Sequence, residues 1–563
     1  MESEESCFWM NGILATDLVE ITADPERLTS GGFWAIAITF EGEFRFARFS
    51  TVRFGEPFPS AGPWEPLQSV WQSSLDRDQY CRYVENVREL IACGEVYQVN
   101  ACRTLTTPFK DSSLNSLFTQ ILKENAAPYA TFLRLPGLEI ASATPELFLK
   151  REKNLITTSP IKGTQRIASG LTFGEKDQAE NIMIVDLMRN DLSQLCEVGT
   201  IEVTDFLRTE THPGLEHLVS DISGTLRSGA TWSEIFQALI PGGSISGAPK
   251  SSALEIIKNN EPTKREYYCG LIGYVQNQKA LIGLAIRTFW RNEESLHFGT
   301  GAGITWPSDA HQEWRETQLK ANRLIGIAGG LDEEGWQFGA GIFETILQVE
   351  GRPIFFDRHL VRARQSAFTL GIQIPDRSYI LKRINQLPME SFSRLRLSFG
   401  SHFSVSTSAY APNASQLNIE IRQVEVAGIG DHKRFPYWEN LDLLRSTRQA
   451  GFDEVLLIDE SGRLGEGATC SYLFFVDGSW VAPTLETGVL PGVMRSIALE
   501  LGLAEERTIL RDELGFVESM VALSSLRICT PVSHVGERRL RVDAKLEELF
   551  IKLWRAAQSD SVG

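Results

Sequence analysis

Positive charge is what this 563-residue sequence has least of relative to its opposite: 55 Lys and Arg against 72 Asp and Glu leave a formal charge of −17. With no basic excess to displace counterions from phosphates, the composition argues against a nucleic-acid or anionic-membrane partner. Long apolar runs are missing as well. The longest, such as 33–40, fall far short of the ~20 residues that cross a bilayer, so no membrane span is expected. The opening MESEESCFWM is acidic where a secretory leader would be basic, and no Ala-x-Ala-like site follows an apolar stretch, so cytoplasmic residence is expected. The 8 cysteines contain no C-x-x-C pair and lie far apart in a chain too large to need staples, so they are expected to be reduced and packed. Internal repeats and low-complexity segments are absent too.

What is present is ordinary for packed domains. Gly (46) added to the 42% hydrophobic residues makes about half the chain apolar, which excludes disorder as the main state. The length predicts three or four folding units, or two large ones. Apolar spacing predicts a helix over 82–93, with Val84, Val87, Leu90 and Ile91 in phase. Strand-like runs at 33–40 and 44–49 predict a hairpin across Glu41-Gly42-Glu43; others are expected at 267–289 and at 287–298, the latter turning across Arg291-Asn292-Glu293-Glu294. Two helices, at 175–195 with Ile182, Val185 and Met188 on one side and at 309–325 behind the capping pair Ser308-Asp309, interrupt the strands. The fold class expected is α+β in two domains. Residues 1–75 form a short β-rich start to a catalytic domain at 76–328, and the glycine-bracketed acidic stretch 329–335 is a linker to a second domain at 336–563, with a helix at 358–370.

Several motifs tempt and fail. The run Gly242 to Ser251 suggests a P-loop, but Ala248-Pro249 separate Gly247 from Lys250, which a phosphate-reaching lysine cannot tolerate. Gly299-Thr300-Gly301-Ala302-Gly303 suggests a dinucleotide fingerprint, yet Ile304 occupies the place of the third glycine; what remains is a loop whose amides approach an anion. His212 and His217 suggest a metal pair, but Pro213-Gly214 breaks the helical geometry, and structural roles are expected.

Glu313, Glu316 and Lys320 fall at i, i+3 and i+7, on one helical face. A solvated charged face is the plain reading. Mg²⁺, however, takes hard oxygen ligands and keeps several waters, so one carboxylate from each of two helices would serve, with Glu180 on the earlier helix as partner.

These residues also carry a resemblance. Ser142-Ala143-Thr144-Pro145-Glu146, Pro160-Ile161-Lys162-Gly163-Thr164, the run 179–192, Pro241-Gly242-Gly243-Ser244-Ile245-Ser246-Gly247-Ala248-Pro249-Lys250, Ile286-Arg287-Thr288 and Gly301-Ala302-Gly303-Ile304 before Glu313-Trp314-Arg315-Glu316-Thr317 resemble, in this order, the chorismate-utilising enzymes, and among them component I of the aminodeoxychorismate synthases. The resemblance implies that Lys162, which replaces the Ala of anthranilate synthases, adds to C2 of chorismate, and that Glu146 protonates the departing 4-hydroxyl. It implies Glu180 and Glu316 as Mg²⁺ ligands with Glu313 behind them, and Arg287 with the Gly301, Ala302 and Gly303 backbone as the holders of substrate carboxylates. His217 matches a position beside the reacting ring, with a satisfied core histidine as the rival reading. No glutaminase nucleophile turn is visible, so ammonia is expected from a separate glutamine amidotransferase subunit or from solution.

In the second half, Phe338-Gly339-Ala340-Gly341-Ile342-Phe343-Glu344-Thr345, Arg358-His359-Leu360-Val361-Arg362, His432-Lys433, Gly451-Phe452-Asp453-Glu454, Glu466-Gly467 and Leu490-Pro491-Gly492-Val493-Met494-Arg495 resemble the fold-type IV pyridoxal-phosphate enzymes, the aminodeoxychorismate lyases in particular. The resemblance implies that Lys433 bonds the cofactor, Glu466 faces its pyridine nitrogen, and Arg362 with the Gly492, Val493 and Met494 backbone takes its phosphate. Ala340, Ser471 and the segment 434–438 depart from that pattern. The expectation is a folate-pathway fusion that makes 4-aminobenzoate, with a homodimer through the second half. The alternatives are an anthranilate, isochorismate or salicylate synthase joined to an amino-acid transaminase, or a second half that only docks.

Overall fold

Phe33 to Ile38 is apolar at every position because it forms a strand, β1 (Phe33–Ile38), whose residues are buried on both faces; it is also flanked on both edges. On one edge it pairs antiparallel with β2 (Phe44–Phe54), Ile38 opposite Phe44, as the hairpin reading anticipated. On the other it meets a strand far away in sequence, Gly270–Gln276, with Leu271 opposite Ile38. In this computed structural model the described residues are 5–60, 62–110, 113–166, 174–212, 215–292, 294–411, 415–428, 430–542 and 544–560. The expected turn residue Glu293 and the pair Pro213-Gly214 therefore lie outside them. The chain divides into two compact units, Met1–Phe338 and Gly339–Gly563.

In the first unit, 18 strands of the described residues join in one network of antiparallel ladders. The elements that frame its site are α1 (Arg77–Ala92), β3 (Gln98–Pro108), β4 (Leu147–Glu152), β5 (Ile161–Arg166), α2 (Glu175–Ser193), β6 (Leu215–Thr225), the single turn α3 (Gly243–Ser246), α4 (Lys250–Asn260), β7 (Gly270–Gln276), β8 (Lys279–Ala285), β9 (Thr288–Arg291), β10 (Ser295–Ile304) and α5 (Ala310–Ala328). Helix α1 starts five residues before the apolar periodicity does, because Asp76 and Gln79 form a reciprocal capping box, each side chain accepting the other's amide at 2.8 Å. Asp309 caps α5 by accepting from the His311 and Gln312 amides. On α2 the buried face is Asn181, Ile184, Val185, Met188 and Leu192; Ile182, expected among the inward residues, is 45% exposed. Asn181 supplies the missing anchor, its amide donating to the Leu218 carbonyl and its oxygen accepting from the Ser220 hydroxyl.

The stretch expected to link two domains is instead folded into the first. Gly329 and Leu331 pair in parallel with Leu67 and Val70, and the Trp71 indole donates to the Gly329 carbonyl at 2.8 Å. A Cβ on Gly329 would stand 2.5 Å from the Leu67 nitrogen, so this glycine is there for packing, and the division between units falls after Phe338.

Among the described residues the second unit holds two sheets. The first is built on β11 (Gly341–Val349), β12 (Phe392–Phe399) and β13 (Phe403–Ala409), covered by α6 (Phe356–Leu370). The second joins β14 (Leu417–Gln423), β16 (Glu454–Ile458), β17 (Ser471–Val476), β18 (Ser519–Leu523) and β19 (Thr530–Val535); β14 runs parallel to both β16 and β19. The two-residue β15 (Arg434–Phe435) pairs with the start of β11, and α7 (Val493–Glu500) packs beside β17. No described helix is long and apolar enough to cross a membrane. All eight cysteines are free thiols; Cys93 is exposed and six are buried.

Candidate active sites

The first site is organised around Ser244, on the turn α3. Its hydroxyl donates to Glu146 Oε1 at 3.1 Å, and its carbonyl accepts from Lys162 Nζ at 3.0 Å. Glu146, just ahead of β4, is buried, which pushes its carboxyl up to about 7 against the pull of Lys162, Ser244 and the Ile161 amide. Lys162, on β5, is shifted down by burial, while the negative charges of Glu180 and Glu146 oppose that shift. Strands β4 and β5 and the turn α3 thus bring an acid near neutrality to a weakened base.

The carboxylates expected to bind a metal separate into two kinds. Glu180 on α2 and Glu316 on α5 both act electrostatically on the Lys162 amine. Glu313 is turned into the protein and accepts from the Ser308 hydroxyl at 2.6 Å. Among the described residues no group of three or more His, Cys, Asp or Glu is arranged to hold a metal. Glu316 also pairs with Lys320 at 2.6 Å, whose ammonium donates to the Gly301 carbonyl at 3.1 Å.

Gly301, Ala302 and Gly303 do not form the expected loop. They lie in β10, opposite Cys102, Ala101 and Asn100 of β3. Because strand residues alternate in direction, and the Gly301 carbonyl faces Lys320, the amides on that side belong to Gly301 and Gly303 and not to Ala302. The site needs their lack of a side chain: a Cβ on Gly301 would meet the Ala101 carbonyl at 2.7 Å, and one on Gly303 the Gln98 side chain at 2.6 Å. Arg287, with φ +52°, sits across from Ala143, which donates to its carbonyl three residues before Glu146. Its guanidinium is made less basic by burial and by the like charge of Arg323, and among the described residues it makes no hydrogen bond or ion pair. His217 is buried on β6, opposite Thr164 and beside the Leu218 that faces Lys162.

In the second site the Lys433 amine stands 5.0 Å from the Phe343 ring and 5.5 Å from that of Tyr437. Burial and the Arg362 charge bring it down to about 8, against Glu344 and Glu466. The buried Glu466 accepts from the Leu490 amide at 3.0 Å. Arg362, on α6, grips Glu344 through Nε at 2.9 Å and through Nη2, and its Nη1 donates to the Pro491 carbonyl at 3.3 Å. His359 Nδ1 shares the same carboxylate at 2.6 Å. Burial alone would raise Glu344, but Arg362 and His359 hold it down to about 2. Arg362 therefore lies beside the amino end of α7, where Gly492 is the cap and the Val493 and Met494 amides have no acceptor within the helix. A Cβ on Gly492 would meet the Ser471 hydroxyl at 2.8 Å. An anionic group fits this cradle, a basic amine stands near it, and an acidic side chain is fixed by a backbone amide; these residues suit pyridoxal phosphate. Ser244, Glu344 and His359 stood inside motifs that sequence reasoning quoted but were given no role, and Lys320 was placed on the face of Glu313 and Glu316 without one.

An antiparallel unit holding an amine, a near-neutral carboxyl and helix-borne carboxylates, followed by a unit with a lysine and an anion cradle, defines a two-domain α+β enzyme. Residues 43–326 match the family model of chorismate binding enzymes, and residues 341–535 that of class IV amino-transferases. The chain belongs to the chorismate-binding enzyme family and carries a class IV amino-transferase domain behind it. It is 35% identical over 282 residues to an anthranilate synthase component 1 of Haloarcula marismortui, which covers 48% of this chain and 58% of that protein. It is 36% identical over 270 residues to the aminodeoxychorismate synthase component 1 of Escherichia coli, covering 46% and 59%. The chain thus spans somewhat under two thirds of the curated relatives it matches. Over 58% of this chain the fold is also that of anthranilate synthase component I from Streptococcus pneumoniae, with TM-score 0.50, 21% identity and coverage of 93% of that chain.

Proposed function

We propose that the first unit aminates chorismate at C4 to give 4-amino-4-deoxychorismate, and that the second removes pyruvate from this product to leave 4-aminobenzoate. The observation that carries the reading is Lys162, a half-buried amine held 3.0 Å from the Ser244 carbonyl beside a Glu146 carboxyl at about 7. Lys162 adds to C2, the ring double bonds shift, and the 4-hydroxyl leaves as water with the Glu146 proton. Ammonia then adds at C4 and the Lys162 amine is expelled from C2, which puts nitrogen para to the ring carboxylate. Glu180 and Glu316 are the residues that would hold Mg²⁺, which supplies positive charge against that carboxylate. Arg287, whose planar fork has no protein partner among the described residues, takes the other carboxylate. The ammonia comes from a separate glutamine amidotransferase subunit, in keeping with relatives named as a component 1.

In the second unit Arg362 and the Val493 and Met494 amides are the groups that would hold the cofactor's phosphate, and Glu466 the one that would pair with its ring nitrogen. Pyridoxal phosphate, when bound, supplies an electron sink for the substrate carbon. The Lys433 amine, at about 8, exchanges protons close to neutrality. Transamination of an amino acid is the second reading, favoured by the amino-transferase match at 341–535.

Purified chain given chorismate, Mg²⁺, ammonium and pyridoxal phosphate is expected to yield 4-aminobenzoate and pyruvate in equal amounts, and Lys162→Ala to yield neither. Ortho-aminobenzoate as the main product would overturn the first half. Accumulation of aminodeoxychorismate, with amino transfer to a keto acid, would overturn the second.

A further inference from the structure

Ser244 is bonded to both groups proposed to do the chemistry, and the turn that carries it is clamped from several sides. A Cβ on Gly243 would lie 2.4 Å from Leu187 Cδ2, so the turn rests directly on α2, the helix that bears Glu180. Gly247, at φ +144°, would place a Cβ 2.1 Å from the Gln98 carbonyl, so the other end is pressed against β3. Between them, Arg265 donates to the Ile245 carbonyl at 3.0 Å and to the Asn100 carbonyl at 2.6 Å, and is itself held by Glu261 at the end of α4. The Ser246 hydroxyl closes the turn onto the Gly242 carbonyl at 2.9 Å. A residue fixed this firmly presents its hydroxyl and carbonyl in set directions.

We propose that Ser244 is the positioning residue of the amination site: its hydroxyl aims the Glu146 carboxyl and favours the ionised form, while its carbonyl fixes the Lys162 amine opposite. This rests on the reading of Glu146 as the acid and Lys162 as the nucleophile. A hydroxyl that donates to a carboxylate stabilises the charged form, whereas the acid must be protonated when it acts. Ser244 thus keeps Glu146 from rising beyond the range in which it gives up a proton readily. The charged groups facing Glu146 are Lys162 from β5 and Lys320 from α5; those facing Lys162 are Glu146, Glu180 from α2, and Lys320 and Glu316 from α5.

The test uses the full chain and two variants. Ser244→Ala removes the hydroxyl and keeps the carbonyl; Ser244→Thr keeps both. Infrared difference spectra over a pH titration follow the carboxyl band that vanishes in Glu146→Gln, and need no substrate. In Ser244→Ala the midpoint should rise by about one pH unit, a tenfold change in acidity, while Ser244→Thr stays at the parent value. With chorismate and ammonium, kcat should fall about tenfold or more in Ser244→Ala, with KM little changed, the basic limb of the pH profile should move up with the infrared midpoint, and threonine should restore both. An unmoved midpoint and limb in a folded Ser244→Ala protein would overturn the role of Ser244. So would a threonine variant as impaired as the alanine one. If the parent protein forms no para-aminated product while the infrared midpoint still moves, the reaction assigned above fails and the aiming of Glu146 by Ser244 stands.

Discussion

A carboxyl group that titrates near neutrality weakens the fold in order to serve chemistry. Glu146 has an ordinary value of 4.5 and sits at about 7 in the folded chain. Between those limits the folded state binds the proton that the unfolded state has lost, so stability falls as pH rises through 4.5 to 7, by roughly 3 kcal/mol. Glu146→Gln should therefore melt at a higher temperature than the parent at pH 8 and at about the same temperature at pH 4; a gap that ignores pH would show that the carboxyl does not titrate in this window. The same variant should lose about 10² to 10⁴ in turnover, and in the parent turnover should decline above pH 7 as the acid ionises. At the second site the matching residue is Lys433. Lys433→Ala should not carry the visible absorbance of pyridoxal phosphate through desalting, and borohydride should add no cofactor mass to it, whereas the parent gains that mass on Lys433.

At the scale of elements, what the sequence revealed depended on how far apart the partners lie. The hairpins at Phe33 to Phe49 and at Gly270 to Ala285 join neighbours, so strand-like apolar runs and turn residues announced them. The pairing of β1 with β7 left no such trace, because nothing local distinguishes a strand with one neighbour from a strand with two. Glycine was ambiguous for a related reason. Gly301 and Gly303 looked like a loop and Gly329 like a linker, yet each is small because another backbone or side chain lies within 3 Å of its missing Cβ. The motifs drew attention to Glu146, Lys162 and Lys433; they gave none to Ser244 and Glu344, whose contacts arise only when distant segments meet. The turn α3 makes this testable. Gly247→Ala forces a Cβ into the Gln98 carbonyl at a φ that alanine avoids, so it should cost about 2 to 4 kcal/mol and release Ser244. The expected outcome is a lowered melting temperature with loss of amination, while pyridoxal-phosphate binding by the second unit is retained. Equal stability and activity in Gly247→Ala would show that the turn yields without cost.

For the whole molecule, the division after Phe338 gives each unit its own buried clusters and its own site, so a ligand should stabilise the unit that binds it. Pyridoxal phosphate at a hundred times its Kd contributes about 2.7 kcal/mol to the state that holds it, which for a domain of this size raises the melting temperature by about 5 to 10 °C. Hydrogen exchange read by peptide mass tells the units apart without relying on separate melting steps. On addition of the cofactor, protection should increase in peptides around Phe343, Arg362, Lys433, Glu466 and Val493, and peptides around Glu146, Lys162 and Ser244 should exchange as before. Chorismate with Mg²⁺ should produce the reverse pattern, with the largest change over Arg287 and β10, the residues proposed to take the substrate's carboxylates. The same protection of both regions by either ligand would mean that the two sites respond as one body, and the assignment of one ligand to each unit would then fail.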